Sequence, residues 1–311
     1  MASKYQLLCT AVHLGSFKAA AEATGYTQSA VSQAIRALER ELETTLLERK
    51  RGGVTLTRDG TQYYPYLQAI ATAESDLEDK HRELMGLAST DIRIATFTNV
   101  SRTVLPPLIR SFGAEHPRVR FTLKQGDYTR NIQWVRDGSV DFCFTIAGLA
   151  DDLDARLLYH DEMVALLPRS HRLCRRAELT LEDLATERFI MLDEGDRSLT
   201  LEAFEAAGVE PMVDSVVTDD YTIIAMVSEG LGVSALYRRT VEGFDDGIVL
   251  KPIRNAPSRD VVMAWRNWDT MPVAARGFAS WIERHRSLHT GGVAAMLPEI
   301  PTARVDSTQR R

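Results

Sequence analysis

Apolar positions along this chain fall into three regimes. To about residue 57 they recur at helical spacing in short blocks. From 58 to 90 they recur every seven residues. From 91 to 290 short apolar runs alternate with helical stretches. In the first regime, Ser3-x-x-Gln6 resembles a capping box, and Tyr5, Leu8, Cys9 and Val12 share one face, predicting a helix over 3–13. Gly15 stops it, Ser16 can cap a second helix rich in alanine (Ala19, Ala20, Ala21, Ala23), and Gly25 suits a left-handed helix end. Thr27 caps a third helix whose apolar stripe is Ala30, Val31, Ala34, Ile35, Leu38 and Leu42. Burying that stripe turns Gln28, Ser29, Ser32, Gln33 and Arg36 outward. Two helices joined by a tight Gly turn predict a helix-turn-helix over Ser16 to Glu43, and its outward residue types can bond base edges and phosphates. Arg49-Lys50-Arg51-Gly52-Gly53 reads as a basic, flexible tip before Val54-Thr55-Leu56, a wing placed for phosphates or a minor groove.

Tyr63, Ile70, Leu77 and Leu84 recur every seven residues, with Tyr66, Ala73 and Leu87 at the companion position, Lys80 interrupting and Leu67 broadening the stripe. A helix from Thr57 to about Leu87, roughly 30 residues and about 45 Å long, exceeds what one domain needs and predicts a partner helix, hence a homodimer. Beyond it, strands are predicted at 92–96, 119–123, 140–146, 162–167, 189–192, 215–218, 233–235, 248–252 and 260–265. Helices are predicted at 99–112 (interrupted near Pro106-Pro107), 131–137, 181–184, 199–207, 221–229 and 273–285. Alternating strands and helices imply an α/β body with a parallel sheet covered on both faces. Residues 291–311, with Gly291-Gly292 and a polar end, read as a disordered tail.

Charge and composition narrow the function. Residues 1–60 hold eight cations and six anions, a net +2, leaving -8 for the remainder of a chain whose formal charge is -6. A mildly basic head on an acidic body fits local contact with double-stranded DNA and argues against general stickiness. No apolar run is long enough to span a bilayer and no signal-peptide pattern opens the chain, so a cytoplasmic location without membrane association is expected. Cys9, Cys143 and Cys174 are far apart, which argues against a disulfide framework or metal site and favours buried, inert thiols over a redox sensor. Gly230-Leu231-Gly232-Val233-Ser234-Ala235 fits a dinucleotide fingerprint, but it follows a helix and opens a strand, so it reads as a helix stop. No catalytic constellation or cofactor motif is present, which disfavours a small-molecule enzyme.

Gly15-Ser16-Phe17-x-x-Ala20-Ala21, Thr27-Gln28-Ser29-Ala30-Val31-Ser32-x-x-Ile35-x-x-Leu38-Glu39, Leu47-x-Arg49 and Leu56-Thr57-x-x-Gly60 together resemble the N-terminal signature of LysR-type transcriptional regulators. Leu105-Pro106, His116-Pro117, Gly138-x-Val140-Asp141-Phe142, Leu167-Pro168-x-x-His171 and Gly230-Leu231-Gly232-Val233 extend the resemblance over most of the chain. Three positions depart from it: Thr44 where Gly is usual, Leu47 where Phe is usual, and Asp59 where a small residue is usual. The resemblance implies an all-α winged helix-turn-helix (1–57), a linker and dimerisation helix (58–90), and a two-lobed effector domain like a periplasmic binding protein (91–290). Lobe 1 would cover about 91–162 and 268–290, and lobe 2 about 163–267. It also implies a dimer or tetramer that reads promoter DNA and answers to a small-molecule effector. DNA contact then falls to Thr27, Gln28, Ser29, Ser32, Gln33, Arg36, Arg49, Lys50 and Arg51. The effector cleft falls to Phe97, Thr98, Asn99, Val100, Ser101, Asp127, Tyr128, Thr145, Ile146, Asp219, Asp220 and Tyr221, at carboxyl ends of strands. The free N–H groups after Phe97 suit an anion, Phe97 itself suits an apolar or aromatic group, and Asp219 and Asp220 suit a cation or simply a helix N-cap.

Overall fold

The computed structural model describes residues 2–50, 53–84, 91–196, 198–244 and 246–285. The head begins with α1 (Lys4–His13), capped by Ser3 and Gln6 in a reciprocal box, then α2 (Phe17–Thr24), ended by Gly25 at φ 73°. Thr27 caps α3 (Gln28–Glu41), its hydroxyl accepting from the Ala30 N–H at 3.2 Å. Ala20 and Ala21 are buried, and their small size lets α3 lie close across α2, with Val31, Ile35 and Leu38 sealed beneath. An antiparallel hairpin follows, β1 (Leu47–Lys50) and β2 (Gly53–Leu56). The backbones of Arg49 and Lys50 are therefore strand, paired with Val54 and Gly53, and not the flexible tip the sequence suggested. The side chains of Arg49, Lys50 and Leu84, together with Arg51, Leu87 and the tail at 291–311, lie outside the described residues.

Thr57 opens α4 (Arg58–Leu84), its hydroxyl accepting from the Gly60 N–H at 2.8 Å. The helix has two apolar faces. Leu67, Ala71 and Thr72 turn inward. Tyr63, Tyr66, Ile70 and Leu77 remain exposed, Tyr66 and Leu77 by about 70%. Leu67 thus belongs to the core of the head and does not broaden the seven-residue stripe, because it sits some 60° around the helix from Ile70. Lower on the inward face, the Thr72 hydroxyl donates to the Asp137 carbonyl at 3.1 Å, and Asp76 forms a two-pronged pair with Arg266, both contacts 3.1 Å. One face of α4 therefore packs on its own chain while the other stays open.

The body is two α/β lobes. Lobe 1 contains β3 (Asp91–Thr96), α5 (Leu105–Glu115), β4 (Arg120–Gln125), α6 (Tyr128–Arg136) and β5 (Phe142–Ile146). The interruption expected near Pro106-Pro107 takes the form of a change of helix type. A π-helical turn, Val100–Val104, runs into α5 with Pro106 in the first turn, where a missing N–H is tolerated. Next comes β6 (Asp154–Pro168), 15 residues long and extending well before the strand expected at 162–167. Lobe 2 contains α7 (Leu181–Ala185), β7 (Phe189–Leu192), α8 (Leu199–Ala206), β8 (Val213–Val217), α9 (Asp220–Ser228), β9 (Ser234–Tyr237), α10 (Arg238–Val241) and β10 (Ile248–Pro252). Then β11 (Ser258–Trp265) returns to lobe 1, and α11 (Val273–His285) packs there.

β6 changes neighbours along its length, whereas β11 keeps β6 beside it throughout. β6 pairs with β11 from Asp154 to Glu162, then with β9 and β10 from Met163 onward. β11 lies between that first half and β5, giving the order β10-β6-β11-β5-β3-β4 with β9 on the other side of β6. Separate apolar cores fill the lobes, one around Phe142, Phe144 and Phe278 and one around Phe189 and Phe204. Two neighbouring strands join the lobes, which face each other across a seam at that crossing.

Candidate functional site

Two regions present chemistry. On the head, Thr27, Gln28, Ser29, Gln33 and Arg36 are exposed along one side of α3, and Ser32 is half-buried between them. What fixes this helix against the wing is Glu39, which the sequence reading used only as part of a motif. Its carboxylate accepts the backbone N–H groups of Leu46 at 2.9 Å and Leu47 at 3.2 Å, so the segment leaving α3 is tied to the last turn of α3. The left-handed turn between them is made by Glu43 at φ 50°, not by Thr44. Thr44 instead donates its hydroxyl to Asp59 at 3.2 Å, so two of the three departures from the family pattern bond to each other. Gly60 is required by contact: a Cβ there would lie 2.0 Å from the Leu46 carbonyl oxygen. Gln33, Arg36 and Arg40 line one side of an open groove whose other side is Thr45 and Arg58.

The second region is the seam between the lobes. Phe97 follows β3 and packs edge-on against Tyr128, ring centroids 5.2 Å apart, at the start of α6. Thr98 is partly exposed and its hydroxyl accepts from Gln125 at 2.6 Å. Asn99 is buried with its amide nitrogen unpartnered, and the Ser101 hydroxyl donates to the Thr98 carbonyl at 2.9 Å. Val100, Thr145 and Ile146 lie in the packed interior of lobe 1. Thr145 donates to the Tyr128 carbonyl at 3.3 Å and reaches the seam only through it. Asp127 caps α6 by accepting the Arg130 N–H at 2.7 Å, and stands so close to Gly195 of lobe 2 that a Cβ there would meet it at 2.9 Å. Across the seam, the two aspartates divide their roles. Asp219 is the cap of α9, accepting the Thr222 N–H at 2.8 Å. Asp220 is the first helical residue, and burial pushes its carboxyl up to about 6, with Glu194 and Asp219 adding to the rise and Arg259 opposing it. The Arg102 guanidinium of lobe 1 covers the Tyr221 ring of lobe 2 at 3.3 Å, closing one edge.

At the centre stands a group the sequence reading missed. Arg259, 7% exposed, leaves β11 at the crossing and lies over the Tyr237 ring at 3.6 Å. It donates to Asp161 of β6 at 3.1 Å and to the Tyr128 hydroxyl. The same hydroxyl faces Glu194, in the loop after β7, at 3.5 Å. Arg259 therefore touches lobe 1, lobe 2 and the crossing at once. Burial pushes the Tyr128 hydroxyl up to about 12 and raises the Glu194 carboxyl, so the phenol stays protonated and donates. The sequence offers little signal for it: Asp161 and Arg259 each sit beside another charged residue, Glu162 and Asp260, at the edge of an apolar run, and only burial with a partner sets them apart.

The cysteines do not join either region. Cys9 and Cys143 are both pushed upward by burial, Cys9 to about 12, which leaves them as thiols rather than reactive thiolates. Among the described residues no helix is long and apolar enough to cross a membrane.

Comparison with known proteins adds three findings. Residues 3–61 match the family model for the bacterial regulatory helix-turn-helix protein of the lysR family, and residues 86–287 match the LysR substrate binding domain. The chain is 29% identical over 267 residues to the transcriptional regulator YvbU of Bacillus subtilis, covering 85% of this chain and 91% of YvbU. It is 32% identical over 238 residues to the probable regulator LrrA of Synechococcus elongatus, covering 76% and 80%. A full-length OxyR structure from Pseudomonas aeruginosa shares the fold with a TM-score of 0.68, at 22% identity over 92% of this chain and 97% of that one.

Proposed function

The chain belongs to the LysR family of bacterial transcriptional regulators, with a DNA-binding head and an effector-binding domain, and on that premise we propose which residues carry each task. It is a regulator and not an enzyme, as its relatives are. Thr27, Gln28, Ser29, Ser32, Gln33 and Arg36 enter the major groove, and Arg49, Lys50 and Arg51 meet the backbone beside it. The observation that carries this reading is the exposed polar side of α3, held in place by Glu39. A mobility-shift titration of Arg36→Ala on the protein's own promoter fragment tests it. Loss of one guanine-directed Arg should weaken binding by about 1–3 kcal/mol, roughly five- to 150-fold. Unchanged affinity would refute the assignment.

The division into head (1–57), linker helix (58–90) and effector domain (91–290) is part of the same proposal, with the two lobes meeting near the β6–β11 crossing. Tyr63, Tyr66, Ile70 and Leu77 then pair with the same stripe on a second copy. Two heads on one dimer match two half-sites about one DNA turn apart. Two such dimers can pair in turn as a homotetramer. The seam between the lobes holds a small-molecule effector against Phe97, Thr98, Asn99, Ser101, Tyr128 and Asp220, and Arg259 couples that event to lobe closure. Action on chromosomal promoters implies a cytoplasmic location.

A further inference from the structure

The seam buries more charge than it pairs. The bond from Arg259 to Asp161 is self-contained, and Asp161 also accepts the Arg239 N–H at 3.2 Å. Two carboxyls of lobe 2 are left over, one from each loop at the carboxyl ends of the parallel pair β7 and β8. Glu194 is 8% exposed. One of its oxygens accepts from Ser198 and from the N–H and hydroxyl of Thr200, at 3.3, 3.2 and 3.4 Å. Its other oxygen faces the Tyr128 hydroxyl, at 3.5 Å. Asp220 opens α9 beside Tyr221, close enough to Glu194 that the Glu194 charge raises its proton affinity. Among the described residues neither has a cation within ion-pair distance.

Buried donors and acceptors are also unpaired at the same place. They are Arg259 Nε and the hydroxyls of Tyr159 and Tyr237, on side chains more than nine-tenths buried. Buried polar atoms are ordinarily satisfied, so a cluster of them at one seam points to a missing partner. Arg102 and Arg239, more exposed, lie on the Tyr221 and Tyr159 rings at the rim. Inside it, Arg259 alone faces Asp161, Glu194 and the half-buried Asp220, so the enclosed part is net negative behind an aromatic wall of Phe97, Tyr128 and Tyr237. An anion would have to approach an arginine that is already paired, past two unpaired carboxylates. A cation would neutralise the excess and gain from the ring faces.

We infer that the seam binds an organic amine, its ammonium group held between Glu194 and Asp220, its apolar part against Phe97 and Tyr128, and an acceptor oxygen, where it has one, on Arg259 Nε. This rests on the reading of the seam as the effector site and adds the class of ligand. With the carboxyls of both lobe-2 loops drawn to one ammonium, and Arg259 bridging to lobe 1, the bound amine holds the lobes together.

The test is calorimetric titration and thermal shift on the full-length chain with tyramine, agmatine and putrescine, against benzoate and succinate as anions. At least one amine should bind and raise the melting temperature. Glu194→Gln should weaken that binding by at least about 30-fold, the effect of removing one partner of a buried charge pair. Asp220→Asn should weaken it without loss of folding, monitored by circular dichroism. No response to any amine overturns the inference. Binding of benzoate or succinate that is lost in Arg259→Gln but kept in Glu194→Gln overturns the amine and retains the seam as the effector site. Amine binding that survives Glu194→Gln and Asp220→Asn combined overturns the seam itself.

Discussion

Replacing Asp220 with asparagine should make the effector domain more stable at neutral pH and leave it unchanged in acid. Asp220 is the first residue of α9, where the helix dipole favours a negative charge. Burial outweighs that, and the neighbouring Glu194 and Asp219 carboxyls add to it. The Arg259 guanidinium and a backbone N–H oppose it, and the carboxyl ends at about 6 against an ordinary 3.8. At 1.36 kcal/mol per unit, the two-unit rise corresponds to about 3 kcal/mol of destabilisation once the group is ionised. Partial exposure at the seam reduces this to roughly 1.5–3 kcal/mol. Between about pH 4 and 6 the folded form holds a proton that the unfolded chain has released. Stability therefore falls as pH rises through that window, and the cost is complete above it. Asn keeps the shape and removes the charge. In thermal unfolding of the full-length protein at about pH 7.5, the transition of the effector domain should rise by roughly 4–10 °C. At about pH 4 the gain should shrink towards zero. An equal gain at both pH values would mean that charge burial is not the cause, and no gain at about pH 7.5 would mean that Asp220 is solvated and not enclosed in the seam.

Two further outcomes follow from the head and linker. Glu39→Ala leaves the buried N–H groups of Leu46 and Leu47 without acceptors and should cost about 2–4 kcal/mol. Glu39→Gln, whose amide oxygen can still accept both, should cost less than half of that in urea unfolding. Equal losses would disprove the tether. Leu77→Asp, on the exposed stripe of α4, should lower the mass seen in sedimentation equilibrium while leaving helicity unchanged, and an unchanged mass would remove this stripe from the dimer contact.

Local signals in the sequence predict the head almost residue by residue. Caps at Ser3, Ser16 and Thr27, the stop at Gly25 and the stripe of Val31, Ile35 and Leu38 all act within one or two turns, so periodicity and capping chemistry suffice to find them. The bounds of α11 and β10 are legible for the same reason. The first half of β6 was missed because Asp154 to Leu158 are largely exposed along its edge and show no alternation to read. Leu67 could not be assigned to a face until the head had somewhere to pack, since a helix with two apolar sides gives one undivided pattern.

The candidate cleft divides in the same way. Phe97, Tyr128 and Asp220 sit at strand ends or helix starts, and the topology of alternating strands and helices marks such positions in advance. Asp219 beside Asp220 looks identical in sequence. One becomes a cap and the other a half-buried carboxyl, because its enclosure at the seam, and not the local sequence, distinguishes them. Arg259, Asp161, Glu194 and Tyr237 come from four separate segments, and nothing local joins them. The sequence alone determined where helices start, stop and expose a polar side, because those choices are made by neighbours along the chain. The tertiary structure alone decided which charges share one buried seam, because electrostatic cost depends on distance and enclosure, and two strands crossing between two lobes supply both.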